Sequence, residues 1–127
     1  MGEQAINSYR DLRVWQKSMA LAESCYRLTR RLPREEMFGL SSQARRAVAS
    51  IAANIAEGYG RENTRSFVQC LRIAQGSLKE VETHLLLAQR VSLLADADIS
   101  GSMAQCESVG KMLRSLIRSL QKKAFEP

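Results

Sequence analysis

The sequence predicts an all-α fold, an antiparallel up-and-down four-helix bundle, for three reasons. Only 2 prolines and 7 glycines occur in 127 residues, so long stretches lack a helix breaker. Apolar residues recur at alternating spacings of three and four, the period of one helix face. Four such stretches are joined by short connections, which favour antiparallel neighbours. At this length we expect one domain over residues 1–127.

The first helix is expected at about residues 11–31. Pro33 ends it, because the residue before a proline avoids helical backbone. Its inner face is predicted to be an apolar stripe with helical spacing, made of Leu12, Trp15, Met19, Ala22 and Tyr26.

The second helix is expected at about residues 41–57 and is rich in alanine, which lets a neighbouring helix approach closely. Ser41 or Ser42 is the predicted N-cap. Gly58 and Gly60 are predicted to stop the helix, because glycine supplies the backbone freedom for a turn. The predicted inner face consists of Ala44, Ala47, Val48, Ile51, Ala52 and Ile55.

The third and fourth helices, at about 64–91 and 98–123, each carry a heptad seam in which spacings of four and three alternate. The predicted N-caps are Asn63 or Thr64 for the third helix and Asp96 or Asp98 for the fourth. The third seam is Phe67, Leu71, Ala74, Leu78, Val81, Leu85 and Ala88. The fourth seam is Ile99, Met103, Cys106, Gly110, Leu113, Ile117 and Leu120.

The chain shows none of the common catalytic or metal-binding patterns, so no catalytic residue, metal or cofactor is predicted. It has no phosphate loop, no zinc ligand pair and no nucleophile elbow. Cys25, Cys70 and Cys106 are odd in number and far apart, and we interpret them as small buried apolar residues. His84, the single histidine, follows Glu80 by one helical turn, and an interfacial role is favoured over a catalytic one.

The expected location is the cytoplasm, with no membrane partner. No apolar run approaches the roughly 20 residues that a transmembrane helix needs. Residues 1–6 have neither the basic nor the apolar region of a secretory signal.

Basic residues are concentrated in the first and last helices. Net charge is +6; residues 1–34 carry +4 and residues 99–127 carry +3, while the residues between them sum to −1. The residues predicted to form a nucleic-acid-binding face are Arg13, Lys17, Arg27, Arg30, Arg31, Lys111, Arg114, Arg118 and Lys122. A smaller stripe on the third helix consists of Arg65, Arg72 and Lys79. Such surfaces attract phosphate backbones without reading sequence, and the alternative is a solvated face that keeps the protein soluble.

Two carboxylates on helices are expected to form ion pairs. Glu57 lies near the C-terminal end of a helix, where the dipole disfavours negative charge, so it should have Arg61 or Arg46 as a partner. Glu80, between two seam residues, should pair with Arg45 or Arg46.

A glycine inside the third helix, Gly76, costs roughly 1 kcal/mol against alanine. A close helix crossing, within or between subunits, would offset that cost. We interpret a set of conspicuous residues as structural or subunit contacts, namely Arg45, Arg46, Asn54, Glu57, Gly58, Gly60, Arg61, Gly76 and Glu80.

Several of these residues fall in runs that resemble the 23S rRNA intervening-sequence family of four-helix bundle proteins. The runs are WQK at 15–17, LSSQARRA at 40–47, NIAEG at 54–58, GR at 60–61 and AQGSLKE at 74–80. The resemblance covers roughly residues 9–94 and implies a small cytosolic bacterial protein that forms a ring-like homopentamer. It also implies kinship with the accessory protein of diversity-generating retroelements, a pentameric bundle whose basic surface binds nucleic acid and a reverse transcriptase.

Two functions from different classes follow. The first is a non-enzymatic homo-oligomeric bundle, a pentamer by the resemblance, that binds RNA or DNA non-specifically through its basic faces. The alternative is a protein-interaction scaffold that recruits a protein partner and has no nucleic-acid role. A small-molecule enzyme is the least favoured and would require a polar pocket converging on Glu57, Glu80 or His84.

Overall fold

The computed structural model describes residues 5–124, and within them it contains four α-helices and no strand. The helices are α1 (Arg13–Thr29), α2 (Leu40–Gly60), α3 (Thr64–Arg90) and α4 (Asp96–Ala124). These bounds differ from the expected ones by at most three residues. Short 3₁₀ helices at Tyr9–Asp11 and Arg34–Glu36 precede α1 and α2. Residues 1–4, which contributed to the expected location, lie outside the described residues.

The helices form a closed square in which each one packs against two others. Every helix contacts its neighbours in the chain, and α4 returns to contact α1. Within residues 5–124 the diagonal pairs, α1 with α3 and α2 with α4, do not approach each other. The all-α four-helix bundle is therefore confirmed. No helix in this part of the chain is long and apolar enough to cross a membrane.

Contacts between α2 and α3 establish that they run in opposite directions. The Ser77 hydroxyl donates a hydrogen bond of 2.9 Å to the Ser50 hydroxyl at mid-height. Gly58, further along α2, lies against Cys70, which is earlier in α3. Residue numbers therefore increase along α2 in the direction in which they decrease along α3, so the two helices are antiparallel.

The same reversal relates α4 to α1. At one end of this pair Arg31 Nη1 lies 2.8 Å from Asp98 Oδ1. At the other end Arg13 shares a groove with Ser115 and Ser119. Between α3 and α4, Leu78 lies against Gly110, and Thr64, earlier in α3, shares a groove with Gln121, later in α4. The four helices thus alternate in direction around the bundle.

The buried stripe of α1 is shifted by one residue from the predicted stripe. Its members are Val14, Ser18, Leu21, Cys25 and Leu28. The predicted residues Met19 and Tyr26 are each 39% exposed. A serine made the correct stripe look less apolar than its neighbour, although the Ser18 hydroxyl is satisfied by a 2.7 Å bond to the Val14 carbonyl.

The predicted ends of α2 are also wrong. Its N-cap is Gly39, which makes no side-chain capping bond, while Ser41 is buried inside the helix. The two glycines do not stop the helix, which continues through Gly60. The chain turns instead at Glu62, which adopts a left-handed φ of 54°.

The seams of α3 and α4 are confirmed. All predicted α3 seam residues are buried except Phe67, which is half-buried against the core. In α4 only Met103 and Leu120 are half-buried rather than buried. Asn63 caps α3 by accepting a 3.0 Å bond from the Ser66 backbone N–H.

Candidate nucleic-acid interface

Charge is separated along the axis of the bundle. The midplane passes through Ser50, Ser77 and the contact between Leu78 and Gly110. The half that contains the C-terminus of α4 is termed the basic half and comprises residues 5–20, 51–77 and 111–124. The other half is termed the neutral half and comprises residues 21–50 and 78–110.

The two halves differ strongly in net charge. The basic half holds eleven basic and three acidic side chains, whereas the neutral half holds eight of each. The result does not depend on where α1 is divided between Lys17 and Glu23, because no charged residue lies between them. The excess of positive charge in residues 5–124 therefore belongs entirely to one end of the molecule.

Within the basic half, exposed cations from three helices form one surface, with α4 in the middle. Arg13 on α1 reaches the groove beside Ser115 of α4. Arg65 on α3 lies in the groove on the other side of α4, beside Gln121. Repeats of one or two helical turns extend these rows along each helix. The surface, termed the basic face, consists of Arg13, Lys17, Arg65, Arg72, Arg114, Arg118 and Lys122.

No cation of the basic face forms an ion pair with a carboxylate of residues 5–124. Four ion pairs occur in residues 5–124, and none includes a member of this face. No carboxylate of these residues therefore lies within 4 Å of the seven charged groups. These cations are therefore not neutralised by direct ion pairs, although Arg114 borders a groove that also contains Glu82, Asp96 and Glu107. Cations without direct partners on a surface attract phosphate.

The structure does not bring all nine predicted residues together. Arg27, Arg30 and Arg31 lie in the neutral half, and Arg31 is paired with Asp98. Lys111 lies just inside the basic half but is 3.5 Å from Glu107. The prediction joined the cations at both ends of α1 to those of α4, whereas the antiparallel arrangement places the C-terminal part of α1 beside the N-terminal part of α4.

Arg65 and Arg72 were left out of the predicted face and belong to it. The sequence carried a signal for them, a recurrence every seven residues on α3. That stripe could be joined to α4 only once the shared groove was known. Lys79, the third member of the stripe, lies in the neutral half and pairs with Glu82 at 2.8 Å.

One of the two expected ion pairs is present. Arg61 Nη2 lies 2.6 Å from Glu57 Oε1, and both side chains are about half exposed. The expected partner of Glu80 is not found in the described chain. Arg45 points to α1 instead, where its Nε donates a 2.8 Å bond to Thr29 Oγ1 and its guanidinium lies over the Tyr26 ring. Arg46 forms no ion pair within residues 5–124.

The motif residues at mid-height form a small polar link between α2 and α3. The Asn54 amide donates to the Ser50 carbonyl at 2.9 Å and to its hydroxyl at 3.0 Å. Because Ser50 also accepts the bond from Ser77, these groups hold the two helices in register. Nothing lies within 4 Å of a Cβ built on Gly76, so no contact within the described chain accounts for that glycine.

His84 and the acidic residues of the described chain form neither a hydrogen-bonded pair nor a metal-binding group. His84 is half-buried, and among residues 5–124 it forms no hydrogen bond with Glu80. In the same residues no three His, Cys, Asp or Glu side chains converge as a metal site requires.

Comparisons with known proteins agree with this fold. The family model described as "23S rRNA-intervening sequence protein" matches residues 10–115. A crystal structure from Bacteroides thetaiotaomicron VPI-5482, a protein of unknown function from the S23 ribosomal protein family, is similar with a TM-score of 0.76 and 28% identity. That similarity covers 82% of this chain and 97% of the other. No curated protein matches the chain. Since the family model spans most of the sequence, the chain belongs to the 23S rRNA-intervening sequence protein family.

Proposed function

We propose that the protein is a non-enzymatic, cytoplasmic, homo-oligomeric bundle that binds RNA or DNA without sequence preference through the basic face. The observation that carries this proposal is the separation of charge along the bundle. Eleven basic side chains against three acidic ones occupy the basic half, and the seven cations of the basic face have no carboxylate of residues 5–124 within 4 Å.

Binding of this kind draws its free energy mainly from counterion release. Each lysine or arginine that neutralises a phosphate of a duplex contributes about −0.9 to the slope of log affinity against log salt concentration. The cations are exposed on helix surfaces and line no deep cleft, so they can meet phosphates but are not positioned to read base edges. Non-specific, strongly salt-dependent binding is the expected behaviour.

Charge reversal in the two halves tests this proposal. The double variant Arg114→Glu and Arg118→Glu alters the basic face, and Arg27→Glu with Arg30→Glu makes the same change of charge in the neutral half. We expect the first to reduce affinity by at least about 100-fold, since each lost phosphate contact weakens binding by several-fold at physiological salt. The control should retain affinity within a few-fold, measured by fluorescence anisotropy with labelled oligonucleotides. Equal losses in both variants, or no binding by the natural protein at low salt, would refute the proposal.

Self-association is supported by apolar side chains on two outer surfaces. On α3, Ile73 is 52% exposed and Leu87 is 47% exposed, on the same outward side as Gly76. On α1, Met19 and Tyr26 are each 39% exposed. A ring requires two different complementary surfaces on every copy, and we propose that the α3 surface of one copy packs on the α1 surface of the next. Close packing at Gly76 would offset the cost of a helical glycine.

Mixing two variants tests the head-to-tail arrangement. Light scattering of the natural protein should give five times the 14.2 kDa chain mass. Ile73→Glu and Met19→Glu should each give monomers, whereas their mixture should give dimers, because each variant retains the surface that the other lacks. Leu86→Glu is the matched control, since this leucine is 43% exposed but faces the α3–α4 groove. A monomeric natural protein, or a mixture that stays monomeric, would contradict the ring.

One observation favours the alternative, a protein-interaction scaffold. Phe38 is 91% exposed in the α1–α2 connection, next to Met37 at 47%. Protein capture by the natural chain that survives nuclease digestion and is lost in Phe38→Ser would support a scaffold. Capture that disappears with nuclease would support nucleic-acid binding.

A further inference from the structure

We infer that the basic face takes double-stranded nucleic acid in preference to single strands. This inference rests on the proposed function and names the class of nucleic acid for that same site. Three features of the basic face support it: its width, its chemistry of charge alone, and the engagement of the nearby aromatic rings in packing.

The face is wide because its cations are distributed over three adjacent helices. Packed helices lie about 8–10 Å apart. Because α1 and α3 occupy diagonal corners of the square on either side of α4, their axes are separated by roughly 11–14 Å. One phosphodiester backbone follows one row or one groove. Two backbones separated by a duplex groove, about 6 Å or 12 Å wide in B-form DNA, can contact rows on different helices at once. A duplex therefore engages more of the seven cations than a single strand does.

The face offers charge and little else, which favours the polyanion of highest charge density. A duplex carries one charge per about 1.7 Å of axis, against about 3.4 Å for each strand. The α4 row has Arg114, Arg118 and Lys122 at successive helical turns, and the flanking rows add two cations each. Counterion release on binding is consequently larger for the duplex.

No fully exposed aromatic ring lies beside the basic face in residues 5–124 to stack on unpaired bases. In residues 5–124 the basic half contains four such rings, and all are half-buried. They pack edge to face in two pairs, Tyr9 with Trp15 at 5.3 Å and Tyr59 with Phe67 at 6.2 Å between ring centroids. Single-strand binding proteins depend on exposed rings as stacking platforms. Among residues 5–124 the exposed rings, Tyr26 and Phe38, lie in the neutral half.

Competition between matched ligands tests the inference. The probes are a mixed-sequence RNA duplex, the corresponding DNA duplex and an oligo(dT) strand with the same number of phosphates. We expect both duplexes to bind at least about tenfold more tightly than oligo(dT) and with a steeper salt dependence, since the slope per phosphate is about −0.9 for duplexes and −0.7 for single strands. Equal or tighter binding of oligo(dT) would overturn the inference and leave the proposed function intact. Failure of all three to bind would overturn both.

Variants of the two outer rows provide a second test. The pairs Arg13→Glu with Lys17→Glu and Arg65→Glu with Arg72→Glu should each lower duplex affinity at least about tenfold and reduce the salt slope by about two. The pair Arg27→Glu with Arg30→Glu is again the control and should leave the salt slope unchanged. An outer-row pair with natural duplex affinity would show that the duplex does not span the three helices and would overturn the inference.

Discussion

Gly58 of α2 lies so close to Cys70 of α3 that its missing side chain determines how near the two helices can pack. A Cβ built on Gly58 would stand 2.8 Å from the Cys70 Cβ, 2.9 Å from Phe67 Cδ1 and 3.3 Å from the Phe67 carbonyl oxygen. These distances are shorter than van der Waals contact, and one of them involves backbone. The glycine is therefore required by the packing of α2 against α3 and not by a turn.

Replacing Gly58 with alanine should destabilise the protein by about 2 kcal/mol, because overpacking forces the two helices apart. Gly60→Ala is the matched control, two residues further along the same helix, where nothing lies within 4 Å of the added Cβ. That change should leave stability unchanged or raise it by about 0.5 kcal/mol. Urea unfolding followed by circular dichroism measures both. Equal effects would contradict the close approach of α2 and α3.

The turn after α2 gives a second prediction. Glu62 holds a φ of 54°, a left-handed conformation that costs a residue with a Cβ roughly 1 kcal/mol. Glu62→Gly should therefore raise the free energy of unfolding by up to about 1 kcal/mol, as glycine does after many helices. Glu62→Ala should give no such gain, because alanine keeps the Cβ. A stabilisation by alanine equal to that by glycine would point to charge and not to backbone conformation.

Sequence periodicity was sufficient to predict the number of helices, their approximate bounds and the seams of α3 and α4. These features depend on local spacing, and aliphatic residues mark it clearly. In α1 the buried stripe includes Ser18, and the neighbouring stripe includes Met19 and Tyr26. Hydropathy alone favours the wrong stripe, because it counts the serine as polar although its hydroxyl is satisfied by the helix backbone.

The candidate interface was predictable only in part, because it depends on which ends of the helices meet. Arg13 and Arg118 fall on the same surface because α1 and α4 are antiparallel, and Arg27 is excluded for the same reason. Arg65 joins them through the α3–α4 groove. Spacing along one helix identifies a row of cations. Which rows lie side by side depends on how neighbouring helices are aligned, and spacing within one helix does not determine that alignment.

The N-terminus of α4 gives a third prediction, concerning pH. The backbone N–H of Ala95, at 2.7 Å, and then the guanidinium of Arg31 hold the pKa of Asp98 below its ordinary value. A carboxylate with a lowered pKa stabilises the fold above its unfolded pKa of about 3.9, and this stabilisation is lost as the pH falls through the folded pKa.

Asp98→Asn should therefore have a lower free energy of unfolding than the natural protein at neutral pH, and the difference between the two should disappear in acid. Arg31→Ala should have a smaller effect, because the bond from Ala95 remains. A difference between Asp98→Asn and the natural protein that does not change with pH would exclude this account.

The buried thiols of α1 and α4 predict a loss of stability in alkali. Burial raises the pKa of Cys25 to about 11 and that of Cys106 to about 12, from 9.0. Because the thiols of the unfolded chain ionise first, the contribution of each buried thiol to the free energy of unfolding is complete below pH 9. Above pH 9 that contribution is lost at about 1.4 kcal/mol per pH unit.

Cys106→Ala should be less stable than the natural protein at neutral pH, since it leaves a cavity in the core. Above pH 9 this deficit should narrow by about 1.4 kcal/mol per pH unit, because the variant has lost one of the two thiols while all other titrations are shared. Urea unfolding of both proteins from neutral pH to about pH 10.5 measures the deficit. A deficit that stays constant would mean that Cys106 ionises equally readily in the folded and unfolded chains, which is incompatible with its burial between α1 and α4.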